Sequence, residues 1–255
     1  MINDKERLER DILALIRDFV KPVGCGAIAA KLQGKEHHIS EATVGRILRE
    51  MDVAGYTEKS GFQGRALSPK GLKRLEELEN KKRRSKWETE LIQSIQGHTK
   101  EQLLEVLIAR RAIESELAYL AAQNATDQEI QHLREIVERQ RVVLADGRGA
   151  AEEDVNFHAT IAAMSRNRVL EAAIALIRQD TQLSPVLEFI RLQVHSFVLV
   201  DHQAVLEHIL NRKSDQAKTA MIEHMNNLIR DVEKYWESMN QKTFQSAGMS
   251  SYAPD

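Results

Sequence analysis

The chain contains little of the residue types that cross-link or break a polypeptide. Of its 255 residues, one is cysteine, four are proline and 12 are glycine, and aromatic residues make up 5%. The single cysteine, Cys25, excludes an intramolecular disulfide framework and suits a reducing cytoplasm. Because helix breakers are scarce while Ala, Leu, Ile, Glu, Gln and Arg dominate, the composition predicts a mostly α-helical globular protein.

Signals for export or membrane insertion are also lacking. The N-terminal run MINDKERLERDIL is charged and has no apolar core of the kind found in signal peptides. The most apolar stretch, residues 186–200, is interrupted by charged side chains such as Glu188 and Arg191. That stretch therefore indicates a buried helix rather than a membrane span. We expect a cytoplasmic protein with no membrane partner.

The net charge of −2 hides an asymmetry along the chain. Residues 1–86 contain 19 Lys and Arg against 13 Asp and Glu, whereas residues 87–255 contain 17 against 25. A basic N-terminal part on an acidic body indicates that the N-terminal part meets a polyanion.

The first 80 residues have the pattern of three helices followed by a hairpin. Apolar periodicity predicts helices that start near residues 4, 26 and 40, the last with Ser40 as its N-cap. Two extended runs, Tyr56–Lys59 and Arg65–Leu67, then flank a glycine-containing turn, which is typical of a β-hairpin. Ser68–Pro69 begins another helix. This order is the layout of a winged helix-turn-helix.

In that layout the third helix enters the major groove of double-stranded DNA. The predicted contacts lie on this helix and on the hairpin, namely Ser40, Thr43, Arg46, Arg49, Lys59, Gln63 and Arg65. Two alternatives are that these side chains are ordinary solvated groups, and that the winged helix is a protein-interaction module.

The run ISEATVGRILREMDVAGYTEKSGFQGRALSPKGLKRL resembles a particular winged-helix family. The family occurs in archaeal nitrogen-regulation repressors and at the N-terminus of ribonuclease R. The resemblance covers about residues 8–79.

Beyond the basic run NKKRRSK (80–86), the chain predicts only amphipathic helices. They lie near residues 87–96, 100–123, 127–145, 150–164, 167–182, 184–199, 201–211 and 215–240. We expect an antiparallel helical bundle after the winged helix. The predicted organisation is a DNA-binding domain (1–80), a basic linker or connecting helix (81–97), a helical domain (98–240) and a flexible tail (241–255).

Four side chains in the helical part form the pattern of one metal site. Asp154 and His158 lie one helical turn apart and therefore share a face, while His202 and His224 lie on two later predicted helices. Imidazole suits Zn, Ni, Fe and Cu, and a carboxylate tolerates Mn. Since the chain has nine histidines, the alternative is that these are ordinary surface or core residues.

Three runs of the helical part resemble the FCD domain, the effector-binding half of FadR-type GntR transcription regulators. They are ARRAIESELAYLAAQNATDQEI, DVNFHATIAAMSRNRVL and DHQAVLEHILNRKSDQAKTAMIEHM, and the resemblance covers residues 98–238. It implies that Asp154, His158, His202 and His224 bind a divalent metal, such as Zn, Ni or Mn. It also implies that this domain dimerises.

The same resemblance implies an arginine near the metal on the first long helix. The matching position is Arg110, with Arg111 as a fallback, and Asn167 matches an asparagine of the family. A bidentate arginine–carboxylate pair beside a metal would select small organic acids. The alternatives are that Arg110 pairs with Glu114 within its helix and that Asn167 is mainly a helix cap.

The resemblance implies a homodimeric, metabolite-responsive transcription regulator and not an enzyme. Its operator class and half-site spacing stay open, because the PGxxL loop and SRxPVREAL helix of typical GntR heads are missing from the sequence. A metal-dependent hydrolase with an appended winged helix is one alternative, with Glu153 or Glu207 as its base. A sensor in which the metal itself is the effector is another.

Overall fold

The computed structural model of the chain contains two compact units, Met1–Leu91 and Ile92–Asp255. It describes residues 2–19, 21–34, 37, 39–96, 99–179, 183–196 and 198–249, with side chains through residue 239. The predicted fold class is confirmed: the protein is mostly α-helical, with a winged helix-turn-helix followed by an all-helical bundle.

The N-terminal unit follows the predicted order of elements. These are α1 (Asp4–Asp18), α2 (Cys25–Gln33), α3 (Glu41–Ala54), β1 (Thr57–Lys59), a 3-10 turn (Gly61–Gln63), β2 (Arg65–Leu67) and α4 (Pro69–Ile95). Helix α4 continues through the basic run 80–86, which separates two helices in the sequence-based prediction. The run has neither Gly nor Pro, so nothing in it breaks the helix.

Local signals set the ends of helix α3. The Ser40 side chain accepts a hydrogen bond from the Thr43 N–H at 3.2 Å, as an N-cap does. Gly55 ends the helix with φ at 74°, in the left-handed region that favours glycine. Between these ends Val44, Leu48 and Met51 enter the core of the unit.

The hairpin is held against the body of the unit by backbone and side-chain contacts. Strands β1 and β2 are antiparallel, with Lys59 opposite Arg65. Arg65 also exchanges both backbone hydrogen bonds with Val23, each at 2.9 Å. A Cβ at Gly64 would lie 2.3 Å from the Val23 backbone. Only glycine therefore fits at this position.

The C-terminal unit packs its helices around one apolar core. Its elements are α5 (Lys100–Asn124), α6 (Asp127–Ala145), α7 (Ala151–Met164), α8 (Arg168–Ile177), α9 (Leu183–Gln193), α10 (Val198–Leu210) and α11 (Ser214–Met249). The long helix α11 packs along α5 and α10, and α7 packs on α5 and α6. Capping boxes at Thr99 and Thr126 begin α5 and α6. Helix α11 continues past residue 240 into the segment predicted as a tail.

Within the described ranges, no single helix is long and apolar enough to cross a membrane. Helices α9 and α10 taken together, with an angle of 116° between them, are long and apolar enough to cross a membrane by length and composition alone.

At the start of α4 the backbone of Gly71 packs closely against the backbone of Tyr56. The Ser68 hydroxyl donates to the Gly55 carbonyl at 2.6 Å and accepts from the Gly71 N–H at 2.9 Å. Gly71 is buried. A Cβ at Gly71 would lie 2.0 Å from the Tyr56 carbonyl oxygen, a distance that real Cβ atoms do not show.

We predict that Gly71→Ala destabilises the N-terminal unit by about 1–3 kcal/mol, because the added methyl group forces the backbone apart. Gly45→Ala is the matched control. It lies inside α3, where the nearest atom to an added Cβ is the end of the Arg49 side chain at 3.9 Å. This control should be neutral or slightly stabilising, since alanine favours a helix. Denaturant unfolding followed by circular dichroism measures both. Equal stability of the two variants would contradict the prediction.

Candidate metal centre

Three helices bring the four predicted metal ligands together. Helix α7 carries Asp154 and His158, α10 carries His202 and α11 carries His224. One possible ligand atom from each residue lies within 4.8 Å of the corresponding atoms of the other three. The histidines are buried and Asp154 is half-buried. The sequence pattern therefore corresponds to one cluster in space.

The distances within the cluster fit ligands around one ion. His158 Nε2 and His224 Nε2 are 3.3 Å apart. Asp154 Oδ1 lies 3.6 Å from the Nε2 atoms of both His158 and His202. Ligand atoms at about 2.1 Å from a common ion lie about 3.0–3.4 Å from one another in octahedral or tetrahedral arrangements. A small contraction of the cluster would satisfy that geometry.

Each imidazole has an oxygen atom beside its Nδ1. The pairs are Glu114 Oε2 with His158, Gln140 Oε1 with His202 at 2.8 Å, and Asp201 Oδ2 with His224 at 3.3 Å. An acceptor beside Nδ1 favours the tautomer that carries the proton there, and leaves a lone pair on Nε2. In that tautomer the Nε2 atom of each ring is free to bind an ion, and these atoms lie in one cluster with Asp154 Oδ1.

The hydrogen bonding of the cluster also fits a metal ion, and this observation does not depend on the resemblance to a known family. The buried His202 Nε2 has no hydrogen-bond partner among the described residues. The Nε2 atoms of His158 and His224 face each other, which is unfavourable for two lone pairs unless a cation lies between them. One carboxylate and three imidazole nitrogens are a donor set that Zn, Ni and Mn accept.

The charge states of the ligands also suit metal binding. Burial, followed by repulsion from the neighbouring histidines, lowers the pKa of His202 and of His224 well below 6.5. Both rings are therefore neutral at pH 7. Burial acts to raise the pKa of Asp154, but His158 and Arg178 outweigh it and hold the pKa well below 3.8. The cluster thus offers one anionic and two neutral donors without releasing protons, and His158 is the fourth predicted ligand.

The arginine that meets the cluster carboxylate is Arg178, which the sequence did not indicate. Its Nη2 donates to Asp154 Oδ2 at 2.8 Å, and its Nη1 lies 3.5 Å from Glu114 Oε1. The predicted Arg110 instead donates to Glu114 within α5 at 2.6 Å, and both side chains are buried. Arg178 lies 24 residues after Asp154, in the turn that ends α8, so no helical spacing relates the two.

The two remaining predicted effector residues make other contacts. Arg111 donates to Asn226 on α11 at 2.7 Å. Asn167 accepts from the N–H groups of Val169 and Leu170, both at 3.2 Å, and so caps α8. An effector role for either residue stays a prediction.

Most of the predicted DNA contacts lie on the exposed surface of the N-terminal unit. Exposed side chains include Ser40, Arg46, Arg49, Lys59 and Gln63, while Thr43 is half-buried. Arg46 pairs with Glu50 on the surface of α3.

Arg65 differs, because both oxygens of Asp52 accept hydrogen bonds from its guanidinium at 2.9–3.1 Å. Its side chain is only 14% exposed. The guanidinium of Arg65 is therefore part of the internal structure of the unit, and a DNA contact by this residue stays a prediction.

Comparison with known proteins gives a family match within each unit. Residues 105–227 match the FCD domain, and residues 10–75 match the ribonuclease R winged-helix domain. The resemblance to FadR-type GntR regulators predicted from the sequence is confirmed, as is the likeness of the N-terminal unit to the ribonuclease R winged helix.

Two curated relatives are named as regulators. The Uxu operon regulator of Haemophilus influenzae is 30% identical over 129 residues, which are 49% of this chain and 48% of that protein. The transcriptional repressor NanR of Cronobacter sakazakii is 28% identical over 135 residues, which are 52% and 50% of the two chains. The chain thus spans about half the length of these relatives. Their names agree with the prediction that it is not an enzyme.

A further relative comes from an archaeon. The global nitrogen regulator NrpRI of Methanosarcina mazei is 38% identical over 66 residues, 26% of this chain and 20% of that protein. Among solved structures, E. coli McbR/YncC matches 92% of this chain and 100% of its own, with 16% identity and a TM-score of 0.47.

We predict that the metal-free protein loses stability as the pH falls below about 6.5, the pKa of histidine in an unfolded chain. Below that pH the unfolded state binds protons that the buried, neutral His202 and His224 do not. Each ring then lowers the free energy of unfolding by up to about 1.4 kcal/mol per pH unit.

Denaturant titrations of chelator-treated protein between pH 8 and pH 5 measure this loss. His202→Gln should flatten the slope, whereas His132→Gln, at an exposed position on α6, should leave it unchanged. A free energy of unfolding that is constant from pH 8 to pH 5 would rule out neutral buried rings.

Proposed function

We propose that the chain is a cytoplasmic, homodimeric transcription regulator that binds a double-stranded DNA operator. In this proposal the FCD domain holds a divalent metal ion through Asp154, His158, His202 and His224. A small organic acid bound at that metal centre modulates operator binding. The observation that carries the proposal is that a winged helix and an FCD domain with a complete ligand cluster occur in one chain.

The contacts around the cluster favour ligand holding over hydrolysis. Of the two bases considered for a hydrolase, Glu207 is exposed and Glu153 is half-buried. The carboxylate that does meet a ligand ring, Glu114, touches Nδ1 of His158 and is bound by Arg110. Burial acts to raise the pKa of Glu114, but Arg110, His158 and Arg178 hold it well below 4.5. A carboxyl group with so low a pKa is ionised at pH 7 and has little affinity for a proton. The Glu114 carboxylate can therefore orient the His158 ring, but it is a poor general base.

Effector control requires a difference in affinity between two states of the protein. A ligand that binds one state more tightly shifts the population towards it, and by linkage operator binding shifts by the same free energy. If operator binding follows metal occupancy and ignores organic acids, the metal itself is the effector. Operator titrations with and without added acids therefore separate the proposal from the metal-sensor alternative.

We predict that Zn(II), Ni(II) or Mn(II) raises the melting temperature of the chelator-treated chain. An ion present at 100 times its dissociation constant adds about 2.7 kcal/mol to the free energy of unfolding. His158→Ala should abolish this gain, because it removes a central ligand, and His132→Ala should retain it.

Differential scanning calorimetry with elemental analysis measures the effect. The metal assignment is wrong if none of the three ions stabilises the wild-type chain, or if His158→Ala responds as fully as wild type does.

We also predict that Arg49→Ala weakens sequence-specific DNA binding by about 1–3 kcal/mol, the range for a lost base contact. Arg49 is exposed on α3. Lys73→Ala on α4 removes the same charge at another exposed position and should have a small effect.

The probe is a duplex selected by the purified protein from a random library, with an unselected duplex of the same length as reference. Fluorescence anisotropy at fixed salt gives both affinities. Equal losses for the two variants, or failure to select any sequence, would reject the assignment of α3 as the reading helix.

A further inference from the structure

The tip of the β-hairpin carries an aromatic ring that no other part of the N-terminal unit covers. Phe62, in the 3-10 turn between β1 and β2, is 111% exposed. The next most exposed large apolar side chain in the described ranges is Val53, at 91%. A phenyl ring in this position adds nothing to the stability of the core. Burial of the ring against a partner would supply the free energy of removing it from water.

The turn that carries this ring is fixed to the body of the unit. It is closed by a hydrogen bond from the Ser60 N–H to the Gly64 carbonyl at 2.9 Å. Asp52, in the last turn of α3, accepts from the Thr57 hydroxyl on β1 at 2.6 Å and from the Arg65 guanidinium on β2 at 2.9 Å. One carboxylate therefore ties both strands to the helix that we propose for the major groove. Because the hairpin is already ordered, binding through its tip costs little conformational entropy.

The shape and charge of the tip limit what it can bind. The tip is narrow because three of its residues have small side chains or none, namely Ser60, Gly61 and Gly64. Residues 60–64 include no acidic side chain, and the side chain of Lys59 beside them is 62% exposed. A narrow element with a cation at its side fits the minor groove of duplex DNA, which is about 6 Å wide and lined by phosphates.

A protein partner fits the tip less well than DNA does. A specific protein interface buries about 800 Å² on each side, whereas one aromatic side chain supplies about 150–250 Å². Among the described residues of the hairpin, Phe62 is the one large apolar side chain that is exposed. Duplex DNA requires only one such group, because a single Phe or Leu can enter between two base pairs from the minor groove.

We propose that Phe62 is an apolar wedge that enters the minor groove beside the site of α3 and bends the operator. The ring partly unstacks one base step, and Lys59 contacts a neighbouring phosphate. Since pyrimidine–purine steps unstack most readily, the wedge selects a deformable step without hydrogen bonding to its bases. The inference rests on the proposed DNA-binding function and adds to it a DNA-bending activity and a specificity-determining residue.

The first test measures affinity by fluorescence anisotropy, with the full chain and the duplex selected from a random library. Phe62→Ala should weaken binding by about 10- to 100-fold, the loss that corresponds to the burial of one such side chain. Phe62→Leu should retain most of the affinity, because leucine also acts as a wedge. Val53→Ala shortens another exposed apolar side chain, in the last turn of α3, and should bind as wild type does. Unchanged affinity in Phe62→Ala would overturn the proposal and leave the ring to a protein partner.

Salt dependence separates an apolar contact from an electrostatic one. Insertion of a phenyl ring releases no counterions, so the slope of log K against log salt concentration should be the same for Phe62→Ala and wild type. Lys59→Gln should reduce the magnitude of this slope by about 1, since it removes one phosphate contact. A reduction in Phe62→Ala as large as that in Lys59→Gln would contradict an apolar role for the ring.

Energy transfer between dyes at the two ends of the selected duplex measures the bend. Saturating wild-type protein should bring the ends closer through a kink of about 20–90°, whereas Phe62→Ala should leave the duplex straighter. Selection repeated with both proteins should enrich a pyrimidine–purine step for wild type and not for Phe62→Ala. Equal energy transfer in the two saturated complexes would refute the wedge even if the affinity of Phe62→Ala falls.

The same measurements separate this inference from the function on which it rests. If the wild-type chain selects no duplex, the proposed DNA-binding function fails, and the wedge fails with it. If a duplex is selected and Phe62→Ala retains both affinity and bend, only the wedge fails. Tighter binding to the single strand than to the duplex would also overturn the wedge, because the ring would then stack on unpaired bases. Thermal unfolding should be the same for all Phe62 variants, since the side chain is fully exposed.

Discussion

The structure of the C-terminal unit depends on the burial of three imidazoles whose Nδ1 atoms each lie beside a side-chain oxygen. The helices that supply these oxygens are α5, α6 and α10, and the rings stand on α7, α10 and α11. Each contact therefore joins two helices and fixes one ring at the same time. A ring rotated by half a turn would lose the contact with its oxygen and bury an unpaired nitrogen. The packing of the helices therefore also fixes the orientation of the three rings.

Features with a local cause could be predicted from the sequence. Ser40, Thr99 and Thr126 cap the helices that follow them, and Asp154 and His158 share a face because they lie one turn apart. The order of the elements in the winged helix was equally clear, since each turn carries its own glycine or proline. The conformation of the basic run 80–86 was predicted less well. Its charge suggested a linker between two domains, but its residues favour a helix, and the run lies inside α4.

The surroundings of the metal centre could not be predicted in the same way. Gln140 lies 62 residues before His202, and Arg178 lies 24 residues after Asp154. Helix packing decides which polar side chain contacts each ring. The periodicity of a single sequence does not show how helices pack against one another. The same reason explains Arg65: its place in the sequence suggests an exposed cation on the wing, but Asp52 at the end of α3 binds its guanidinium.

The position of the histidines along the chain has a consequence for folding. His158 and His224 are 66 residues apart in sequence and 3.3 Å apart at their Nε2 atoms. An ion between them would close a long loop, and loop closure removes entropy mainly from the unfolded chain. In a polypeptide whose only cysteine is Cys25, coordination would take the place of a disulfide as a cross-link. Unlike a disulfide, this cross-link could be made and reversed in a reducing compartment by the supply of an ion.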